Sequence, residues 1–347
     1  MSRNARFQFL LPALLGGLLA AAGADFSAPP AAASARVVIA QGDRLLDAFL
    51  PNDALVETVF NRGLTAFAHA PDATAAWHSL VTTNDTVGIK VFSAPGPLCG
   101  TRPAVVAALV RGLLAAGLPG DHIIIWDRRE EDLRTAGFFQ LGSKLGVRVA
   151  GAVESGYDEK VFYRPDSPVT GALAWGDLEF GRKGEGVGKK SFVSKLVSRE
   201  MTKIISVAPL INENAAGLGG HLFSLALGSV DNTRRFEGDA DRLAVALPEI
   251  FALPEIGDRV ALCVTDALLG QYQGGPASFL QYTVELNQLW FSRDPVALDT
   301  LAIKELARAR AAAGVPAVPL RGQIFTNAAL LQLGINDPAR IQVEKVK

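Results

Sequence analysis

The fold is decided by the stretch Val260-Ala261-Leu262-Cys263-Val264-Thr265-Asp266 and its continuation Ala267-Leu268-Leu269-Gly270-Gln271-Tyr272-Gln273-Gly274-Gly275-Pro276. The first part is an apolar run closed by a carboxylate, and the second reads as a glycine-rich loop. A buried strand that ends in an acid and opens into such a loop is the usual ligand position of an open α/β sheet. Outward from it the same grammar recurs. Residues 87–92 and 122–126 read as strands, with a helix over 103–116 ended by Gly117 between them, so a right-handed β-α-β unit with parallel strands is expected. Further strands are expected over 37–40, 147–150, 203–207 and 341–346. Helices are expected over 52–70, capped by Asn52 or Asp53, and over 130–136, 241–251 and 295–313. The alternation predicts one three-layer α/β domain over 37–347, its sheet mostly parallel with helices on both faces. Residues 156–195 break the pattern with Pro165, Pro168 and a glycine run, and read as an irregular insertion, either a mobile flap or a β-hairpin.

Composition narrows the function classes. Of 347 residues 49% are hydrophobic and 20% charged, ample for a large core. Lys plus Arg number 34 against 35 for Asp plus Glu, so no basic field invites nucleic acid, and a small-molecule ligand is the expected partner. Cys99 and Cys263 cannot supply the four thiolates of an iron–sulfur cluster; Cys263 reads as a buried core residue, with a disulfide to Cys99 as the alternative. Arg3 and Arg6 precede an apolar run over 7–22, followed by Ala22-Gly23-Ala24, with Ala33-Ser34-Ala35 as a second cleavage candidate. This reads as a secretory signal over 1–24, and Ser2-Arg3-Asn4-Ala5-Arg6-Phe7 resembles a twin-arginine signal with its arginine pair split. An Ala/Pro-rich tether over 25–36 follows. The expected address is exported, periplasmic or extracellular, membrane-anchored if the signal stays uncleaved, with no other integral membrane segment.

Several chemistries fail on spacing. A phosphate loop would need glycine and a hydroxyl where Lys183 and Lys190 stand, and a dinucleotide fingerprint would need glycine at Leu222. His69, His78, His122 and His221 show no zinc spacing. His221 follows Gly217-Leu218-Gly219-Gly220 just after strand 203–207, so it reads as a ligand contact or as a packed, capping histidine. What remains is carboxylate and amide chemistry: Asp127, Asn212-Glu213-Asn214 and Asp266 each follow an expected strand and would converge at one carboxyl edge if the strands are parallel. Such an oxygen-rich cluster suits a divalent ion or a hydroxylated substrate, and each residue singly also suits a turn or a cap. Asp294-Pro295 reads as a helix cap, and Asp299 as a complement to the dipole of that helix.

Taken in order, several segments resemble the domain-of-unknown-function 362 family. They are Val87-Gly88-Ile89-Lys90-Val91, Thr101-x-Pro103, Ile123-Ile124-Ile125-Trp126-Asp127-Arg128, Ser198-Arg199-Glu200-x-x-Lys203, Gly228-Ser229-Val230-Asp231-Asn232-x-x-Arg235-Phe236, Leu253-Pro254-Glu255-Ile256, the 266–276 stretch and Ser292-x-Asp294-Pro295. The resemblance implies an α/β domain, frequent export and, in some relatives, an attached ferredoxin domain that this sequence lacks. It adds Asn232 and Arg235 to the expected ligand-binding set. Where the family shows Pro-x-x-Lys-Asp/Thr-His and then Leu-Lys-Asn, this chain has Asn212-Glu213-Asn214 and Phe223-Ser224-Leu225, and Glu237 replaces a histidine.

The expected site therefore comprises Lys90, Thr101, Asn212, Asn214, Asn232, Arg235, Gly274 and Gly275 as ligand-binding residues, with Asp127, Asp266 and His221 as catalytic candidates. Lys90 and the start of helix 103–116 would hold an anion, the two aspartates would act as base or metal ligand, and the glycines would let backbone approach the ligand. The alternative is a catalytically degenerate binding or accessory protein with a protein partner in a redox or other exported complex.

Overall fold

The computed structural model describes residues 34–164, 190–317 and 321–347, and within them runs rich in Val, Ile and Leu form an eight-stranded sheet. Its strands are β1 (Ala35–Gln41), β2 (Val87–Val91), β3 (Ile123–Asp127), β4 (Arg148–Gly151), β5 (Lys203–Ile211), β6 (Val260–Gln271), β7 (Thr283–Ser292) and β8 (Ile341–Val346). They lie in the order β8-β1-β7-β6-β5-β2-β3-β4. Neighbours from β6 to β4 are parallel, as are β1 and β8, and β7 alone runs against both its neighbours. Every residue of β2 and β3 is buried, the reason these strands read as unbroken apolar runs.

Two groups of helices cover the sheet and complete a three-layer α/β fold. One packs α1 (Asp53–Ala68), α2 (Ala73–His78) and α3 (Pro103–Ala115) together; the other packs α6 (His221–Ser229), α7 (Ala240–Phe251), α8 (Pro295–Ala312) and α9 (Gln323–Leu330). Between β3 and β4 lie α4 (Glu130–Thr135) and α5 (Phe138–Leu145). Asn52 caps α1 by accepting from Leu55 N at 3.2 Å, and Asp294 caps α8 by accepting from Ala297 N at 2.8 Å.

Helices α2, α5 and α9 lie outside the expected elements, and four further departures bear on the site. The deciding stretch does not leave the sheet after Asp266: β6 continues to Gln271 across irregular pairing at 266–270, so Asp266 lies inside a strand. Strand β7 was not anticipated, because its half-exposed beginning and buried end share no single alternation. Helix α6 was missed too, since all nine of its residues are buried and none supplies amphipathic contrast. Asp299 does not serve its own helix: its carboxylate accepts from His221 N at 2.8 Å and Leu222 N at 2.9 Å, capping α6 instead.

The expected insertion contributes an antiparallel pair, Tyr157–Tyr163 with Ser191–Ser194, outside the main sheet. The expected signal peptide, most of the tether and the glycine run over 181–188 lie outside the described residues. Both cysteines are buried and unbridged.

Candidate functional site

From β2 the chain moves outward to β3 and β4, then returns to lay β5 on the other side of β2. The strand order thus reverses between β2 and β5, where an open α/β sheet leaves a crevice outside its carboxyl ends. A cavity of about 520 Å³ lies there. Lys90, Phe92 and Asp127 line it from the strand ends, Phe223, Ser224 and Leu227 from α6, and Arg128, Arg129, Asp132, Arg234, Glu237 and Pro276 complete the lining.

Its deepest feature is an ion pair. Lys90 Nζ is fully buried and donates to Asp127 Oδ1 at 2.6 Å, to the Val91 carbonyl at 2.6 Å and to Ser224 Oγ at 2.8 Å, so all three ammonium protons are used. Burial pushes the pKa of Lys90 down, against the opposing pull of Asp127. Asp127 also accepts from Arg128 N at 2.8 Å, Ser93 N at 2.7 Å and Ser93 Oγ at 2.6 Å, which turns the chain sharply at the end of β2. Gly228 makes room for the lysine: a Cβ there would stand 2.2 Å from Lys90 Cε. Phe92 and Phe223 meet edge to face, centroids 5.9 Å apart, as an apolar wall.

The other aspartate occupies a separate, sealed place. Asp266 has no exposure and is paired with Arg102, whose Nη1 and backbone N both donate to it at 2.9 Å. Arg102 stands at the N-cap position of α3, so the pair ties β6 to the residue that opens that helix. The expected role of Asp266 as base or metal ligand finds no opening here, since both its oxygens are held by Arg102 inside the core.

His221 is equally enclosed, its Nδ1 2.8 Å from Ser206 Oγ and its Nε2 3.0 Å from Thr265 Oγ1. Burial lowers its pKa to about 3, so the ring is neutral, donating from one nitrogen and accepting at the other. Its chemistry is that of a packed core histidine. Thr101 donates to the Val207 carbonyl at 2.6 Å and accepts from Phe92 N at 2.9 Å, tying the exit of β2 to β5.

Gly275 allows a close approach, though to protein and not to a ligand: a Cβ would stand 1.8 Å from the Asn212 carbonyl oxygen, and Gly275 N donates to Asn212 Oδ1 at 3.0 Å. Its neighbour Gly274 has a φ of +88°, and a Cβ there would meet the Phe279 ring at 2.5 Å. Asn212 and Asn214 line a different cavity, beside α8. Asn232 donates to the Lys190 carbonyl at 3.0 Å and Arg235 to the Asn232 carbonyl at 3.1 Å and to Ser191, so both hold the 191–194 strand. Of the expected residues, then, the structure brings Lys90 and Asp127 together at this cavity, brings Asn212 together with Asn214 and Gly275 at another place, and leaves the rest apart from both.

Sequence reasoning did not single out Ser93, Ser224 as a lysine partner, or Asp132. Asp132 carries a raised pKa, through burial first and then the charge of Asp127. The Arg128–Glu237 pair at 3.2 Å closes one rim. Among the described residues no three His, Cys, Asp or Glu side chains are placed to hold a metal ion.

No protein-family model matches the chain, and no curated protein matches it. A crystal structure of a Thermotoga maritima protein from a structural genomics consortium is similar over 79% of this chain, at 11% identity and a TM-score of 0.42, and the chain spans 60% of that protein's length.

Proposed function

We propose that this is an exported member of the domain-of-unknown-function 362 family that binds a small anionic molecule in the cavity at the carboxyl ends of β2 and β3. One observation carries the binding: Arg128, Arg129 and Arg234 line a cavity whose floor is the buried, mutually neutralised Lys90–Asp127 pair, so the cationic side chains that meet a ligand are the arginines. Arginine presents planar donors suited to carboxylate or phosphate, and the strand-order reversal puts them where such folds hold ligands. Among the positions at which the chain departs from the family pattern, Phe223, Ser224 and Glu237 line this cavity.

Binding is favoured over catalysis because both members of the pair are saturated. Lys90 has no proton to spare and Asp127 already accepts four hydrogen bonds, so neither is poised as a base. An enzymatic reading rests on Asp132, whose raised pKa suits a general acid at the same cavity. Calorimetric titration with sulfate, malonate and citrate tests the reading. Saturable binding weakened roughly two- to tenfold by Arg129→Glu, a surface charge reversal, is expected. Failure of all three anions to bind, or equal binding by the variant, would sink it.

A further inference from the structure

We infer that a second ligand site, separate from the anion cavity, lies between the ends of β5 and β6 and helix α8, and that it takes a carboxylic acid with an apolar tail. A cavity of about 620 Å³ stands there, within the ~300–1,000 Å³ range of small-molecule sites. Ile303, Leu306 and Val315 give it apolar walls.

The polar end is set by Arg310. Its Nη1 donates to the Tyr272 carbonyl at 3.0 Å and its Nη2 to the Pro316 carbonyl at 2.7 Å, which pins the guanidinium in one orientation. Its Nε is shielded from water and has no partner. Both acceptors are neutral, and among the described residues no carboxylate stands at ion-pair distance from Arg310, so its permanent charge lacks a counter-ion. Glu213, the acid in the lining, is turned to backbone, its Oε2 accepting from Ala215 N at 2.8 Å and Ala216 N at 2.5 Å.

The Nε–H lies out of a ligand's reach, but Nη1 and Nη2 each keep a second hydrogen, and a ligand carboxylate would supply the counter-ion that the guanidinium lacks. Gln273 shares the lining, and its Oε1 is likewise shielded and unpartnered. A head group of one negative charge with an alkyl tail satisfies both the arginine and the walls. Arg321 in the same lining is opposite in charge to Glu213, so one net positive charge remains for the head group to meet, and an alcohol would leave the Arg310 guanidinium without its counter-ion.

The test uses the intact protein with decanoate and decanol as probes, by calorimetry or intrinsic fluorescence. Wild type is expected to bind decanoate saturably and decanol at least ~10-fold more weakly, one charged hydrogen bond being worth about that factor. Ala307→Phe, which fills the cavity from α8, should abolish decanoate binding, while Arg129→Glu at the other cavity leaves it unchanged. Arg310→Gln should weaken decanoate at least ~10-fold. If that variant does not fold, because its two carbonyl contacts are lost, the wild-type comparison and Ala307→Phe decide the matter. Absence of saturable decanoate binding, equal affinity for decanol, undiminished binding by Ala307→Phe or an effect of Arg129→Glu each overturn the inference.

Discussion

Two buried ion pairs sit in one sheet, and they differ in what surrounds them. Arg102–Asp266 is sealed in the core, with one aspartate oxygen held by the backbone N of the arginine that pairs with the other. Lys90–Asp127 is nearly as buried but forms the floor of a cavity. A basic side chain paired with an aspartate therefore fastens β6 to the start of α3 in one place and floors an open cavity in the other. Position on the strand decides which. Asp127 is the last residue of β3, whereas β6 runs five residues past Asp266. Burial of a charged pair alone does not mark a functional site; what opens beside it does.

The largest expected effect separates the two pairs by stability. Arg102→Met leaves Asp266 charged in the core and should cost ~3–5 kcal/mol in urea unfolding, and adding Asp266→Leu should recover most of that loss. Lys90→Met should cost less, ~1–3 kcal/mol, because Asp127 keeps its three donors from Ser93 and Arg128 and the cavity admits water. Equal costs would erase the distinction between a sealed and an open pair.

Titration separates the two regions next. On the sealed side, burial raises the pKa of Asp299 to about 7 and lowers that of His221 to about 3. The folded state holds the extra proton on Asp299 from the unfolded value of 3.8 up to about 7, so that contribution to stability is lost as pH rises through this window. His221 acts oppositely: the unfolded chain holds its proton between about 3 and 6.5, so stability is lost as pH falls through that range. The two slopes, each ~1.4 kcal/mol per pH unit, offset one another where they overlap. Asp299→Asn keeps one of the two cap bonds, loses stability at every pH by the other, and exposes the His221 slope, so that the variant gains stability from pH 4 to 6 more steeply than wild type. Parallel stability curves for the two proteins would refute the assignment.

On the open side titration should appear in binding. Asp132 lines this cavity, and burial followed by the charge of Asp127 raises its pKa, so it ionises at a higher pH than a free aspartate. Sulfate keeps its own charge there, and its affinity should fall two- to threefold as pH rises and Asp132 ionises, an effect the size of one exposed charge contact. Asp132→Asn should make sulfate binding independent of pH. A persistent pH dependence in that variant would move the titrating group elsewhere.

Much of the scaffold was legible because local signals were strong. Doubly buried strands read as continuous apolar runs, and Asn52 and Asp294 announced helices that begin where expected. The site was legible in part. Lys90 and Asp127 were singled out from their places at strand ends, and they do meet. Asp266 misled because its strand continues through Gly270, where irregular pairing lets an apolar, glycine-containing sequence stay in the sheet. His221 misled because a glycine run before a histidine looks alike whether the ring faces a ligand or the hydroxyls of Ser206 and Thr265.

The sequence by itself determined the class of fold, the parallel core and the residues able to carry charge at strand ends, since these depend on period, cap chemistry and composition along a short stretch of chain. Only the tertiary structure decided which charges neutralise each other. Lys90 finds Ser224 and Asp127, Arg102 finds Asp266, and Asp299 leaves its own helix to cap α6. Partners that lie up to 164 residues apart in the chain are chosen by strand order and helix packing, and no local pattern encodes that choice.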